Sequence, residues 1–305
     1  DKPILTVVNF SYQKIKENIT MKKSLKLSLA LVSLIAAGAL AACSNGGSSS
    51  KEKAKTNQTE IVVATDGATK PFTYSDSQGN LTGYDIEVAR AVFDKLPEYK
   101  VTYQAVDFSG IVPGLDSGRY QMGANDFGWS KERAEKYNFS SPISKSNNAV
   151  LTKEGDYKTL EDLAGKSTIG NPASNYTKII NDWNKAHPDK KINISYSADS
   201  TSINTRFNQI ESGKIDFMLY DKISLQSSIK DQGFDSLKIQ DIDTSTGDPE
   251  HDGYEYFLFA KDDAGKELQT KVNKVLAELE KDGTLKKLSE KFFDGDFVPE
   301  ASKFK

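Results

Sequence analysis

From Glu60 onward, short runs rich in β-branched and aromatic residues alternate with longer segments whose apolar side chains recur every three or four positions. Continuous or period-two apolar runs suit strands and 3.6-residue recurrence suits helices, so the alternation predicts an α/β fold. EIVVAT (60–65), KVTYQA (100–105) and YQMGAN (120–125) read as strands, and 84–96 and 110–117 as helices. Ile86, Ala89, Val92, Phe93 and Leu96 share one face of the 84–96 helix, which predicts packing on a sheet. A second alternation follows, with AVLTK (149–153), STIG (167–170), 192–195, 217–220 and LKIQ (237–240) as strands and 175–185, 200–212 and 222–232 as helices. It predicts a second lobe. YEYFLFA (254–260) then reads as a buried strand, and Leu268, Val272, Val275, Leu276 and Leu279 as the stripe of a helix ending near Asp282-Gly283. A last helix covers 285–292, and no internal repeat at a fixed period is present.

The chain of 305 residues has one cysteine, Cys43, so the folded part is expected to hold neither a disulfide nor a thiolate metal site. With 40 Lys+Arg against 43 Asp+Glu and no basic stripe, no nucleic-acid partner is expected. His187 in AHPDKK and His251 in PEHDG stand in polar, turn-like contexts and read as solvated loop side chains, leaving metal chemistry without a foothold. No cofactor is expected.

Cys43 closes an apolar run, Leu27–Ala42, that follows Lys22, Lys23 and Lys26. The run falls short of the roughly 20 residues needed to span a bilayer, and its small-residue end suits cleavage. LAAC (40–43) resembles the lipobox of bacterial lipoprotein signal peptides. That resemblance implies that Cys43 receives a diacylglycerol and that the bond before it is cut. The mature protein is then lipid-anchored at the cell membrane and faces outside, as in a Gram-positive bacterium. Residues 1–20 precede Met21 and are expected to be untranslated or misassigned, 21–42 form the signal peptide, and 43–59 are the lipidated cysteine and a polar, flexible tether.

GYDIEV (83–88) opens the first helix, and its acidic first turn opposes the helix dipole. It also resembles the solute-binding proteins of ABC transporters, polar amino-acid branch, although Phe93 stands where that family has a small residue. The resemblance extends over almost all of 61–293. TDGATKPFTY (65–74) is similar to the family's first binding loop, DFSGIVPGL (107–115) to the second, and NDFGWSKERAEKYNFSSP (125–142) to the segment that holds the ligand's carboxylate. The family's arginine falls on Arg133, and a guanidinium suits a carboxylate because its donors match both oxygens. By itself, SKERAEK would read as a solvated helix face. Asp221, after the strand FMLY (217–220), falls where the family places an acid for the ligand's α-ammonium; it also stands where a helix N-cap would stand. Gly170–Asn175, including Ser174 and Asn175, implies a helix N-terminus whose free N–H groups favour an anion.

By the same resemblance Asp66, Phe108, Asp126, Gly128 and Asn171 line the cleft, with Phe108 offering an apolar face, while Thr69 replaces an aromatic found in many relatives. The implied architecture is a two-lobe type II periplasmic-binding-protein fold with a hinged inter-lobe cleft. Residues 60–146 plus 256–305 form lobe 1, 147–255 form lobe 2, and crossings near 147–151 and 254–257 form the hinge. The implied function is capture of a polar amino acid, cystine being favoured, and its delivery as a monomer to an ABC permease driven by an ATPase. Two other readings remain open at this level: a same-fold enzyme resembling a cyclohexadienyl dehydratase, and an amino-acid sensor. The retained Arg133–Asp221 pair favours a binding protein over an enzyme.

Overall fold

The structure, a computed structural model, describes residues 58–199, 201–244 and 250–304. The expected signal peptide, Cys43 and nearly all of the expected tether lie outside the described residues. Among those described, no helix is long and apolar enough to cross a membrane.

Strand β1 (Thr59–Thr65) starts one residue before the sequence pattern suggests. The Gln58 side chain ties it down by donating to the Pro97 carbonyl at 2.8 Å. Three very short strands, β2 (Ala68–Thr69), β3 (Thr73–Ser75) and β4 (Leu81–Thr82), form a small antiparallel sheet that no periodicity announced. It leads to Gly83, whose φ of 114° and close approach to the Phe72 carbonyl, 2.4 Å from where a Cβ would stand, admit only glycine. Helix α1 (Tyr84–Asp94) follows, then β5 (Tyr99–Ala105), α2 (Phe108–Asp116), β6 (Met122–Gly128), α3 (Lys131–Lys136), β7 (Tyr137–Phe139) and β8 (Ser144–Lys145). The Phe93 ring is accommodated edge-on against Tyr99, with centroids 6.1 Å apart.

The chain then enters a second body: β9 (Asn148–Thr152), β10 (Ser167–Gly170), α4 (Asn175–Ala186), β11 (Asn193–Tyr196), α5 (Ile203–Glu211), β12 (Phe217–Asp221), α6 (Lys222–Gln232) and β13 (Lys238–Asp241). It returns through β14 (Tyr254–Ala260), α7 (Asp263–Lys281) and α8 (Thr284–Phe293).

The first lobe has one six-stranded sheet in the order β5-β1-β6-β14-β7, with β8 also paired to β14. β1 runs parallel to β5 and β6, and β14 runs antiparallel to its neighbours. Successive residues of the central strands face opposite cores. Val63, Phe257 and Phe259 meet α1 and α7 in a large cluster with Val88, Val92, Leu268 and Leu276. Ala64 and Leu258 meet Ile111 and Leu115 of α2 on the other face. Coverage on both faces explains why YEYFLFA is apolar or aromatic at every position but Glu255.

In the second lobe β9 is the middle of a three-stranded antiparallel sheet, β12-β9-β13, beside the parallel pair β10-β11. Val150, Phe217 and Leu219 face one cluster, and Ala149, Leu151 and Met218 face another. Tyr254 and Glu255 already pair with Lys145 and Ser144 of β8, so the return crossing comes before Tyr254.

Candidate functional site

A cavity of about 420 Å³ lies between the lobes. Arg133, Asp66, Phe108, Asp126 and Gly128 line it from the first lobe, and Asp221, Asn171, Ser174 and Asn175 from the second. All nine residues read from the sequence as cleft residues are thus brought to one space.

On the first wall, Asp66 directly follows β1. Its carboxylate accepts from the Ala68 N–H (2.9 Å) and the Thr69 hydroxyl (2.6 Å), so the threonine standing in place of an aromatic is spent on Asp66. Burial raises the Asp66 pKa against those hydrogen bonds. Asp126 adopts a left-handed backbone, φ 49°, which Asp tolerates better than most residues. Its N–H donates to the fully buried Asp85 at 2.8 Å. Phe108 stacks on Phe127 at 5.7 Å, and the Arg133 guanidinium lies 5.3 Å from the Phe127 ring centroid.

Arg133 is set by α3, whose N-cap Ser130 accepts the Arg133 backbone N–H at 3.2 Å. Its Nη1 donates to the Gly128 carbonyl at 2.5 Å. Burial lowers its pKa to about 10, which still leaves it charged at neutral pH. A Cβ on Gly128 would stand 3.2 Å from Asn175 Nδ2 of the other lobe.

On the second wall, Asp221 is 2% exposed and caps α6, its Oδ1 accepting the Ser224 N–H at 2.6 Å. Its Oδ2 has no protein partner among the described residues. One oxygen caps and the other stays available, so capping and ligand contact do not compete. Burial pushes the Asp221 pKa up to about 6, against the hydrogen bond from Ser224. The Ser174 hydroxyl caps α4 by accepting the Tyr176 N–H at 3.3 Å, and Asn171 Oδ1 accepts the Ala173 N–H at 2.8 Å while its Nδ2 donates to Asp199.

Several cavity residues escaped the sequence reading. Glu255, 4% exposed, lies against Asp126 and accepts the Ser144 hydroxyl; burial, then Asp126 and Asp221, raise its pKa well above the carboxylate range. Burial, then Asp221, does the same to Asp126, whose Oδ1 also lacks a partner among the described residues. Asp85, which accepts the Asp126 N–H but does not line the cavity, is pushed up to about 7 by burial. An acid interrupting an apolar strand, as in YEYFLFA, is the signal that would have found Glu255. Tyr176, Tyr220 and Arg206 also line the cavity and carry no such signal.

The histidines differ from expectation. Neither is a free loop side chain. His251 lines the cavity, stacks on Trp129 at 4.4 Å and 8°, and places Nδ1 3.2 Å from the Tyr256 hydroxyl. His187 stacks on Trp183 at 3.7 Å and lies against its carbonyl at the end of α4. Aromatic residues distant in sequence, or a turn earlier on the helix, shelter both. Among the described residues no His/Cys/Asp/Glu cluster has metal-binding geometry.

Contacts that join the lobes include Lys70 to Asp231, Lys230 to Asp294, and the Ser109 N–H and hydroxyl to Asp199. An Arg from one lobe and an Asp with a free oxygen from the other, flanked by aromatic rings, form a cavity suited to a small zwitterion.

Residues 61–295 match the model of the bacterial extracellular solute-binding proteins, family 3. The chain is 37% identical to the probable amino-acid-binding protein YxeM of Bacillus subtilis (strain 168), over 86% of this chain and 92% of that one. It is 33% identical to the L-cystine-binding protein TcyA of the same organism, over 90% and 99% respectively. A solved structure bearing on glutathione import in Gram-positive bacteria via GshT and the cystine ABC importer TcyBC of Streptococcus mutans superposes with a TM-score of 0.74. That match has 36% identity and covers 81% of this chain and 99% of that one.

Proposed function

The chain belongs to the bacterial extracellular solute-binding proteins of family 3, and from that membership we propose that it captures an α-amino acid for an ABC importer, with L-cystine the favoured ligand. The observation that carries this reading is the pairing across one cavity of Arg133, for the α-carboxylate, with the free Oδ2 of Asp221, for the α-ammonium. Asp126 and Glu255 add carboxyl oxygens that can accept from a second ammonium, and the Phe108–Phe127 stack an apolar wall. The family works outside the cytoplasm. Ligand bridging the lobes favours the closed form, which presents a surface to the permease.

Glutathione is a second reading, supported by the Streptococcus mutans structure. Its γ-glutamyl end is a free α-amino acid head and suits the same clamp. Both ligands call for more room than a single small amino acid. The relatives' names, which describe binding proteins, support a non-enzymatic role for this chain. Anchoring through Cys43 in a Gram-positive membrane, the lobe limits near 146 and 254, and a monomeric state belong to the same proposal. A thermal-shift screen of the chain against the common amino acids, L-cystine and glutathione tests it, because a ligand that binds only the folded state must raise Tm. Cystine should give the largest shift; no shift with any of them would refute the reading.

A further inference from the structure

Arg206 lies on α5 of the second lobe and has no part in the Arg133–Asp221 pairing. Its guanidinium carbon stands 5.5 Å from the Tyr220 ring centroid, and its Nε is buried with no hydrogen-bond partner among the described residues. No salt bridge reaches it among those residues, although several carboxylates share the cavity. Asp199 is engaged by Ser109 and Asn171, Asp231 by Lys70, and Asp66 by Ala68 and Thr69. A buried, unpaired arginine donor is costly unless something else satisfies it. Arg206 faces the same cavity as Arg133.

The tyrosines give the spacing. Tyr176 lies within electrostatic reach of Arg133, its ring packs on Tyr220 at 4.8 Å, and Tyr220 lies beside Arg206. Two cations thus line one cavity, one from each lobe, with the Tyr176–Tyr220 ring pair beside Arg206.

We infer that Arg206 is a second carboxylate subsite, so that the cavity takes ligands carrying one carboxylate on the amino-acid head held by Arg133 and Asp221 and another at the far end. This rests on the amino-acid reading above and narrows it to dicarboxylates with a spacer. Planar, forked donors suit that task better than an ammonium would. The subsite also gives the second lobe a grip on the ligand end distant from the clamp.

Titration calorimetry on the whole chain tests it, with L-cystine, which has two carboxylates, and S-methyl-L-cysteine, which has one. Arg206→Gln should weaken L-cystine by about tenfold or more, the usual cost of losing a charge-assisted partner, and S-methyl-L-cysteine by less than about threefold. Arg206→Lys should recover part of the loss. On the unaltered chain, L-cystine should bind about tenfold tighter than its monoamide, which keeps the test available if Arg206→Gln does not fold. Equal losses for both ligands, no loss for cystine, or equal binding of cystine and its monoamide would overturn the subsite alone. Absence of binding by every amino acid tried would overturn the amino-acid reading and the subsite with it.

Discussion

The first lobe brings to the cleft a cluster of buried carboxyls that raise one another's pKa, Asp126 among them with an unpartnered Oδ1, whereas the second brings a single buried acid, Asp221, with an unpartnered Oδ2, and a cation, Arg206, with an unpartnered Nε. The cores differ in parallel. The first lobe has a six-stranded sheet between two helical layers and one large cluster, and the second has a three-stranded sheet and a strand pair between two smaller clusters. The difference suggests a division of labour in which the larger body holds a preformed, electrostatically loaded surface and the smaller body completes it on closure.

The largest effect should come from the first core. Phe257→Ala, at a fully buried site, should cost about 3–5 kcal/mol of folding stability, against about 2–3 for Ile179→Ala at the rim of a second-lobe cluster. The two tryptophans, Trp129 and Trp183, fall one in each lobe, so urea unfolding followed by fluorescence distinguishes the lobes. Equal costs with coincident transitions would break the comparison.

Next in size is the clamp. Arg133→Ala should weaken amino-acid binding by about 2–5 kcal/mol, because a desolvated carboxylate loses its charged partner. Calorimetry showing near-unaltered affinity would remove Arg133 from the site.

The third effect is pH dependence, with opposite signs for folding and binding. Asp85 rises from an ordinary 3.8 to about 7 in the fold, so its contribution to stability is present below 3.8 and lost as pH rises through about 7. Ligand-free Tm should therefore fall between pH 5 and 8. Binding needs Asp221 ionised to hold an ammonium, so affinity should fall roughly tenfold per unit as pH drops below about 6, with proton release on binding. Affinity that is flat from pH 7 to 5 would show that Asp221 does not meet the ammonium.

Much of this was legible in the sequence, for identifiable reasons. YEYFLFA and the 222–232 helix match the observed elements residue for residue, because burial on both faces and an Asp221 cap leave clear marks. The β2–β4 sheet left none, since strands of two or three residues carry no period. The site residues came through contiguous motifs. What stayed hidden was set by tertiary neighbours: a lone arginine on an amphipathic helix looks the same whether solvated or, like Arg206, unpaired over a tyrosine. The left-handed turn at Asp126 and the stacking of His251 on Trp129 are likewise made by distant chain.

The smallest predicted effect probes the contact between the walls. Gly128→Ala places a methyl about where Asn175 Nδ2 stands 3.2 Å away, and should cost about 1 kcal/mol of affinity while leaving Tm without ligand nearly unchanged. A Tm loss instead would mean that the strain falls within the first lobe.

The central claim is that one amino-acid head is held between the lobes, with its ammonium on Asp221. Titration of the chain and of Asp221→Asn with L-cystine and with 3,3′-dithiodipropionate, which lacks both ammonium groups, tests it most directly. L-Cystine should bind the unaltered chain about a hundredfold tighter or more, and the gap should largely close in Asp221→Asn. Equal binding of the two compounds to the unaltered chain, or an undiminished gap in the variant, would contradict the account.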